Sequence, residues 1–312
     1  MSRFQRALKP FIVWVIRKLE KILSRESNLN CGPVFIVGSP RSGTTVIRQV
    51  VSSSIESSYF TNTTNKLFRI FSFPLPSISA ILTNTIFRDR IKITNDQLNY
   101  GTTPGRGAPC EGELIWGYWF QTKHNAVEPE ELTEEHQTMM RLAVANTERI
   151  YGKPFINKTT VLSLRVTALA QVFPTAVFIR VRRDPIDIAQ SLLIARKTKY
   201  KEWLGAKPTE CEQIDVDDLV KQVCTQVFFT EKKLSEGECV VGKERFWNIS
   251  YKQFCNSPLS EMKKLSKFLA SFSIPAALKE DAIPSKLPFS HGQRKEITPS
   301  EYASIINYFN IE

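Results

Sequence analysis

Histidine is scarce and cysteine is unpatterned in this 312-residue chain, which holds three of the first and six of the second. The cysteines (Cys31, Cys110, Cys211, Cys224, Cys239 and Cys255) include no C-x-x-C pair. No zinc-ligand spacing arises. The scattered thiols also offer no disulfide framework, so reduced, mostly buried cysteines in a cytoplasmic protein are the expectation. Long apolar runs are missing as well. The stretch "FIVWVI", Phe11 to Ile16, ends at Arg17 and Lys18, far short of the about 20 residues that a membrane span requires. "RKLEKILSRES" after it has no convincing signal-cleavage pattern. Internal repeats and low-complexity tracts are absent, which excludes solenoids and disordered tethers.

What remains is a composition ordinary for a folded domain, with 42% hydrophobic residues and a net charge of +11. The length suits one large α/β domain or two small ones, and the positive field favours an anionic ligand, nucleic acid or a membrane surface. Residues 3 to 25 read as a basic amphipathic helix: Leu8, Ile12, Val15, Leu19 and Ile22 recur at helical spacing among Arg3, Arg6, Lys9, Arg17, Lys18 and Lys21. Two readings stand for it, packing on the domain or docking on an anionic membrane surface. The division expected is residues 1–30 as this helix and 31–312 as one α/β domain.

"PVFIVGSPRSGTT", residues 33 to 45, combines a β-branched apolar run with a glycine-bearing loop that opens a helix. Phosphate would there meet the free N–H groups and positive end of a helix. The spacing of Gly38 and Gly43 fits a nucleotidase P-loop, but Thr44 stands where the phosphate-binding lysine belongs and Arg41 lies further forward. A second strand-to-helix junction follows in "TAVFIRVRRDPIDIAQSLL": Asp184 is a suitable N-cap, Pro185 a first helical residue, and Arg183 with Ser191, eight positions on, can clamp a phosphate. Between them "FIN" reads as a strand and "LSLRVTALAQVF" as a helix. "RFWNIS" is a further strand. Residues 60–109 read as loops and short helices, "EGELIWGYWFQ" and Pro129–Tyr151 as helices. Further helices are expected near Asp215–Glu236, over "PLSEMKKLSKFLAS" and after Pro299, with a lysine-rich linker near Lys197–Glu212. Ligands of open parallel sheets bind at the carboxyl ends of the strands. Gly38–Thr45, Asn157–Lys158 and Arg182–Asp184 are therefore expected along one rim.

Together "PRSGTT" and "RDPIDIAQS" resemble the two donor-binding motifs of the sulfotransferases that use 3′-phosphoadenosine 5′-phosphosulfate (PAPS). The resemblance extends over about residues 33–270, and implies a central parallel sheet flanked by helices in a P-loop NTPase-like sulfotransferase fold. It further implies sulfonyl transfer to a hydroxyl or amine, with PAPS as donor and no metal. Carried over, Arg41 would stabilise charge near the bridging oxygen and Ser42, Gly43, Thr44 and Thr45 would hold the 5′-phosphate. Arg183 and Ser191 would hold the 3′-phosphate, covered by Arg294 and Lys295 of "HGQRKEIT". Lys158 of the Asn-Lys pair would approach the transferring group, and Tyr251 would lie near adenine, although Lys252 replaces the family's glutamate after it. Lys158 as a solvated strand-end lysine, and Arg294 and Lys295 as surface cations, are the plainer readings.

The acceptor hydroxyl must lose a proton to a base within hydrogen-bond reach. The segment where related glycan and tyrosylprotein enzymes place a glutamate reads "SSYFTNTTNKLF" here, without an acid. Glu111, then Glu113, of "PCEGELIWGYWF" are the carboxylates that resemble a bacterial subgroup's element, with helix-dipole acids as their alternative role; Glu56 and His124 stand further back. Trp116, Tyr118, Trp119 and Phe120 could line an acceptor pocket or belong to the core. The acceptor class is a small molecule, glycan or lipid. Nucleic acid does not fit, since the donor site absorbs the arginines and leaves no basic stripe with interleaved aromatics. A P-loop kinase or nucleotidase, and an inactive sulfotransferase-like binding protein, remain the alternatives.

Overall fold

The computed structural model describes residues 3–24, 28–86, 103–122, 125–199, 203–215, 217–289 and 291–311, with residues 3–9 described by backbone alone. His124 and parts of the expected linker and of the 60–109 stretch lie outside them.

Four parallel strands form the sheet: β1 (Val34–Val37), β2 (Ile156–Lys158), β3 (Val177–Arg182) and β4 (Phe246–Ser250), in the order β2-β1-β3-β4. Register pairs Ile36 with Lys158 and Ile179, and Arg180 with Val37 and Asn248. All four residues of β1 are buried, because helices cover both faces of the sheet, and that explains a continuous apolar run in place of alternation. Val34 and Ile36 meet Ile47, Val50 and Val51 of α2 (Thr44–Ser54) and Met262, Leu265 and Leu269 of α11 (Pro258–Ser271). Phe35 and Val37 face Trp116 of α5 (Glu113–Phe120), Val144 of α6 (Glu134–Tyr151) and Leu169 of α7 (Val166–Val172). Burying each large apolar side chain contributes about 1.5–3 kcal/mol, so the two layers fix the height of β1 and of the loop after it.

A third cluster joins α8 (Pro185–Thr198), α9 (Leu219–Val241) and α12 (Pro299–Ile311). α8 begins as its sequence predicts: Asp184 accepts hydrogen bonds from the Ile186 and Asp187 amides, and Pro185 occupies the first turn.

Local chemistry shifts several boundaries. Residues 60–109 hold two ten-residue helices, α3 (Asn62–Phe71) and α4 (Pro76–Thr85). Thr61 and Thr64 form a reciprocal capping box for α3, while Pro76 opens α4. Pro129–Glu131 is a separate 3₁₀ turn, since Thr133 caps α6 through the His136 amide. The helix expected over "LSLRVTALAQVF" divides at Arg165, where φ is −133° between a 3₁₀ turn at Thr160–Leu164 and α7. Tyr251 starts a short unforeseen helix, α10 (Tyr251–Asn256). α1 (Arg3–Leu23) packs on α4.

The chain passes from β1 to β2 on one side and then crosses to β3 on the other. The carboxyl end of β1 is therefore the switch point at which open α/β sheets accommodate ligands.

Candidate functional site

The loop between β1 and α2 is held open by backbone conformation. Arg41 (φ 72°) and Gly43 (φ 105°) both adopt the left-handed region, which for a non-glycine residue costs roughly 1–2 kcal/mol. The surroundings enforce it at Arg41. Its Nε donates to Ser191 Oγ at 3.2 Å, and its carbonyl accepts from Arg183 Nη1 at 3.4 Å. Ser163 Oγ fastens the start of the loop, accepting from the Gly38 amide at 2.9 Å and donating to the Gly38 carbonyl at 3.0 Å. Ser39 Oγ donates to Glu231 Oε1 on α9 at 2.6 Å.

Two observations suit this loop to an anion. Gly43 caps α2 without any side-chain hydrogen bond to the first turn, so the amides there are directed at whatever enters. Ser42 Oγ is buried and finds no hydrogen-bond partner among the described residues. Gly43 is also required sterically, since a Cβ at this position would lie 2.2 Å from the Tyr251 ring.

A cleft of about 370 Å³ opens at this point. Its walls include Arg41, Gly43, Thr44, Thr45, Glu111, Glu113, Lys158, Arg183, Ser191 and Tyr251. Ten of the sequence-predicted site residues thus meet in one place. Ser42 is a fully buried residue of the loop, whereas Arg294 and Lys295 lie on the loop preceding α12, outside the cleft walls. That loop is nevertheless fastened to α8 beside Ser191. The buried Gln190 accepts from the Arg294 amide at 3.0 Å and donates to the Gly292 carbonyl at 3.3 Å, while Asp187 contacts His291 Nδ1 at 2.8 Å. Arg294 and Arg183 are close enough for each charge to oppose the other's, though burial is the larger cause holding the Arg183 guanidinium below its usual range. Arg183 lies 5.0 Å over the Tyr251 ring and 5.6 Å from that of Phe289, a setting that keeps the guanidinium aimed. Burial pushes the Tyr251 phenol up and keeps it neutral.

Lys158, at the end of β2, is not a solvated lysine. Its Nζ donates to Glu111 Oε1 at 2.5 Å and to Thr45 Oγ1 at 3.1 Å. Glu111 precedes α5 instead of belonging to its first turn, with Gly112 in the left-handed region between them. Asn157 fixes this approach, since its side chain accepts from Trp116 Nε1 at 3.1 Å and contacts the Glu111 carbonyl at 3.5 Å. Glu113 does open α5 and faces the charge of the buried Arg165, whose guanidinium burial holds down to about 9.

Other expectations separate. Glu56 pairs with Lys153 and Lys279 away from the cleft. Trp116, Trp119 and Phe120 belong to the core, and Tyr118 packs edge-on against Phe68; none lines the cleft. Arg48 went unforeseen. It is buried one turn into α2, donating to the Pro109 carbonyl at 2.9 Å and Thr103 Oγ1 at 2.8 Å, and so carries the strap before Glu111. A charge among apolar helical residues was its single signal in the sequence. Ser163 and Glu231 had none, because their partners lie far along the chain. Among the described residues no group of histidine, cysteine and carboxylate side chains could hold a metal ion.

Comparison with known proteins gives a family and a fold. The sulfotransferase family model matches residues 33–271. An omega-hydroxy-beta-dihydromenaquinone-9 sulfotransferase, Stf3, from Mycobacterium bovis is 28% identical over 146 residues, and that of Mycobacterium tuberculosis gives the same figures. The aligned stretch covers 46% of this chain and 35% of the relative, so the chain spans about a third of the length of these curated relatives. Among solved structures, sulfotransferase STF9 from Mycobacterium avium superimposes with a TM-score of 0.53 at 15% identity, over 96% of this chain and 72% of that one. Sulfotransferase STF1 from Mycobacterium tuberculosis gives a TM-score of 0.52 at 12% identity, over 98% and 82%. These superpositions establish the fold.

Proposed function

The chain belongs to the sulfotransferase family, and from that premise we propose that it transfers a sulfonyl group from PAPS to an acceptor hydroxyl or amine. The single observation that carries this reading is the Lys158 ammonium held between Thr45 on the anion loop and the Glu111 carboxylate. A cation and a base thus stand together where the two substrates would meet. The loop amides from Gly43 to Thr45, with Ser42, hold the 5′-phosphate. Arg183 and Ser191 hold the 3′-phosphate, with Arg294 and Lys295 over it, and Tyr251 borders the adenine. The acceptor oxygen attacks sulfur as the bond from sulfur to the bridging phosphate oxygen breaks. Glu111 takes the acceptor proton, with Glu113 as the second candidate, and adenosine 3′,5′-bisphosphate leaves with the bond's electron pair. Arg41 and Lys158 stabilise the charge that grows on the bridging oxygen. No metal takes part.

The acceptor class is a small molecule, glycan or lipid bearing a hydroxyl, the group written into the relatives' own name. A cytoplasmic site of action and peripheral membrane contact through residues 3–25 belong to the same reading. A kinase reading has Thr44 where it needs lysine. The inactive-protein reading rests on the acid missing from residues 62–65, and Glu111 supplies a carboxylate to the same cleft from the strap that pairs with that segment.

Calorimetric titration separates the donor assignment from the kinase reading, and turnover of PAPS separates the enzyme from an inactive binding protein. Tight, magnesium-independent binding of adenosine 3′,5′-bisphosphate, with ATP and ADP much weaker, is expected. Preference for ATP with magnesium would overturn the donor assignment.

A further inference from the structure

The carboxylate of α1 is consumed by the fold. Glu20, the single acid among residues 3–23, is buried, and its two oxygens accept the Ser77 and Ile78 amides at 2.8 and 3.0 Å, satisfying the start of α4. Ser24 bonds both Glu20 and Ser77, Arg17 lies 4.5 Å over the Phe73 ring, and Arg149 donates to the Leu23 carbonyl. One face of the helix is therefore latched to the body.

The opposite face meets nothing in the described chain that covers it. Phe11, Trp14 and Ile22 are 61%, 57% and 68% exposed, and Ile12 and Leu19 are exposed beside them. Phe11 and Trp14 stack, and Lys18 Nζ lies 5.9 Å over the Trp14 ring. Phe11, Trp14, Lys18 and Ile22 follow helical spacing and share a stripe. Glu20 projects from the other side, because two residues turn an α-helix by about 200°. Lys18 and Lys21 are exposed with this stripe, and Arg3, Arg6 and Lys9 add charge of the same sign toward the start of the helix. A monomer rarely exposes such a patch without a use for it. No helix among the described residues is long and apolar enough to cross a membrane.

We propose that this outer face of α1 lies in the interface of an anionic bilayer, with Phe11, Trp14 and Ile22 below the headgroups and the lysines on the phosphates. The occupant follows from charge: the exposed charges of the helix are all positive, while its one carboxylate is spent on the latch. Amphipathic helices with aromatic and aliphatic residues on one face and lysine or arginine around it bind in this plane. Because α1 packs on α4, α4 on α3, and α3 brings Asn62 and Asn65 to the cleft, docking fixes that part of the cleft wall relative to the lipid surface. The inference deepens the membrane-contact part of the proposed function and does not depend on the donor assignment.

The test is co-sedimentation of the full chain with vesicles of phosphatidylcholine alone or mixed with phosphatidylglycerol, alongside titration of adenosine 3′,5′-bisphosphate on the same preparation. Binding to the mixed vesicles is expected, weakened by salt as the charges are screened. The Phe11→Glu/Trp14→Glu variant is expected to bind at least about tenfold more weakly, and Lys18→Glu/Lys21→Glu to lose the preference for anionic lipid. Quenching of Trp14 by brominated lipid, absent in Trp14→Phe, is the direct signature. Lack of vesicle binding would overturn the proposal, even where nucleotide binding upholds the enzyme reading. Dimerisation without lipid that Phe11→Glu/Trp14→Glu abolishes would also overturn it, since a second copy would then cover the face. Nucleotide affinity unchanged in the variants separates loss of docking from loss of fold.

Discussion

Lys158 Nζ lies 2.5 Å from Glu111 Oε1, with the lysine side chain 4% and the glutamate 20% exposed. Little water reaches the pair, and the exposed oxygen side of Glu111 lies on the cleft wall. The ion pair holds the Glu111 carboxylate in place at the cleft wall, as the role of base proposed for it requires. Glu111→Gln keeps the shape and loses the proton acceptor, and so is expected to lower kcat by about 10²–10⁴ while leaving adenosine 3′,5′-bisphosphate affinity intact. Glu113→Gln is expected to have a much smaller effect on turnover. Comparable losses in the two variants would transfer the role of base away from Glu111.

Arg183 is held by the Arg41 carbonyl and two aromatic rings at the end of β3, beside Ser191. Truncating one partner of a buried charged pair costs about 2–5 kcal/mol. Arg183→Ala is therefore expected to weaken adenosine 3′,5′-bisphosphate binding by that amount and to leave adenosine 5′-phosphate binding little changed. Calorimetry with both nucleotides reads the difference directly. Equal weakening of the two would mean that Arg183 shapes the loop without contacting the 3′-phosphate.

Gly43 combines a φ of 105° with a Tyr251 ring atom 2.2 Å from where a Cβ would stand. Gly43→Ala is expected to cost about 1–3 kcal/mol in backbone strain, beyond the clash, and to lower both Tm and donor-product affinity. Tyr251→Ala removes the clash but opens a cavity of its own, so Gly43→Ala is expected to lower Tm less in the Tyr251→Ala background than in the native one. No effect of Gly43→Ala in that background would place the whole effect in the clash.

The strands, the two strand-to-helix junctions and the rim they share were legible because each rests on short-range chemistry: a buried apolar run, a glycine loop, an Asp-Pro helix start. Glu111 was legible as a candidate, but its pairing with Lys158 was not, since the two stand 47 positions apart. The aromatic run of α5 gave a pocket as one reading. The sheet absorbed it instead, because Trp116 packs on Phe35 and donates to Asn157. Arg165 divided an otherwise helical pattern for a tertiary reason: its guanidinium reaches the Thr122 and Asn125 carbonyls at the exit of α5.

Glu238 joins β3 to β4 by accepting from Arg180 at 2.7 Å and from Asn248 at 2.7 Å. Burial opposes its ionisation, but hydrogen bonds from Asn248 and Arg180 outweigh this and hold its carboxyl below the usual range. A lowered folded-state pKa contributes stability that is present above the unfolded value, about 4.3, and is lost as pH falls through the lowered one. Tm of the native chain is thus expected to fall below about pH 4.3 more steeply than that of Glu238→Gln. Parallel curves for the two proteins would exclude Glu238 from the acid transition.

Glu231 links that network to the loop. It accepts from Ser39 Oγ at 2.6 Å through one oxygen and from Arg180 at 3.0 Å through the other. Arg180 is held independently by Glu238 at 2.7 Å, so removing Glu231 does not leave the guanidinium without a partner. Glu231→Gln retains an acceptor for Ser39, whereas Glu231→Ala removes it. Since a hydrogen bond of this kind contributes about 0.5–1.5 kcal/mol net, the alanine variant is expected to raise the donor KM by roughly two- to tenfold, with kcat little changed. The glutamine variant is expected to stay near the native value. The split between them separates positioning of the loop from general destabilisation: an equal rise in KM for both variants would assign the effect to the lost charge opposite Arg180 instead of the Ser39 contact.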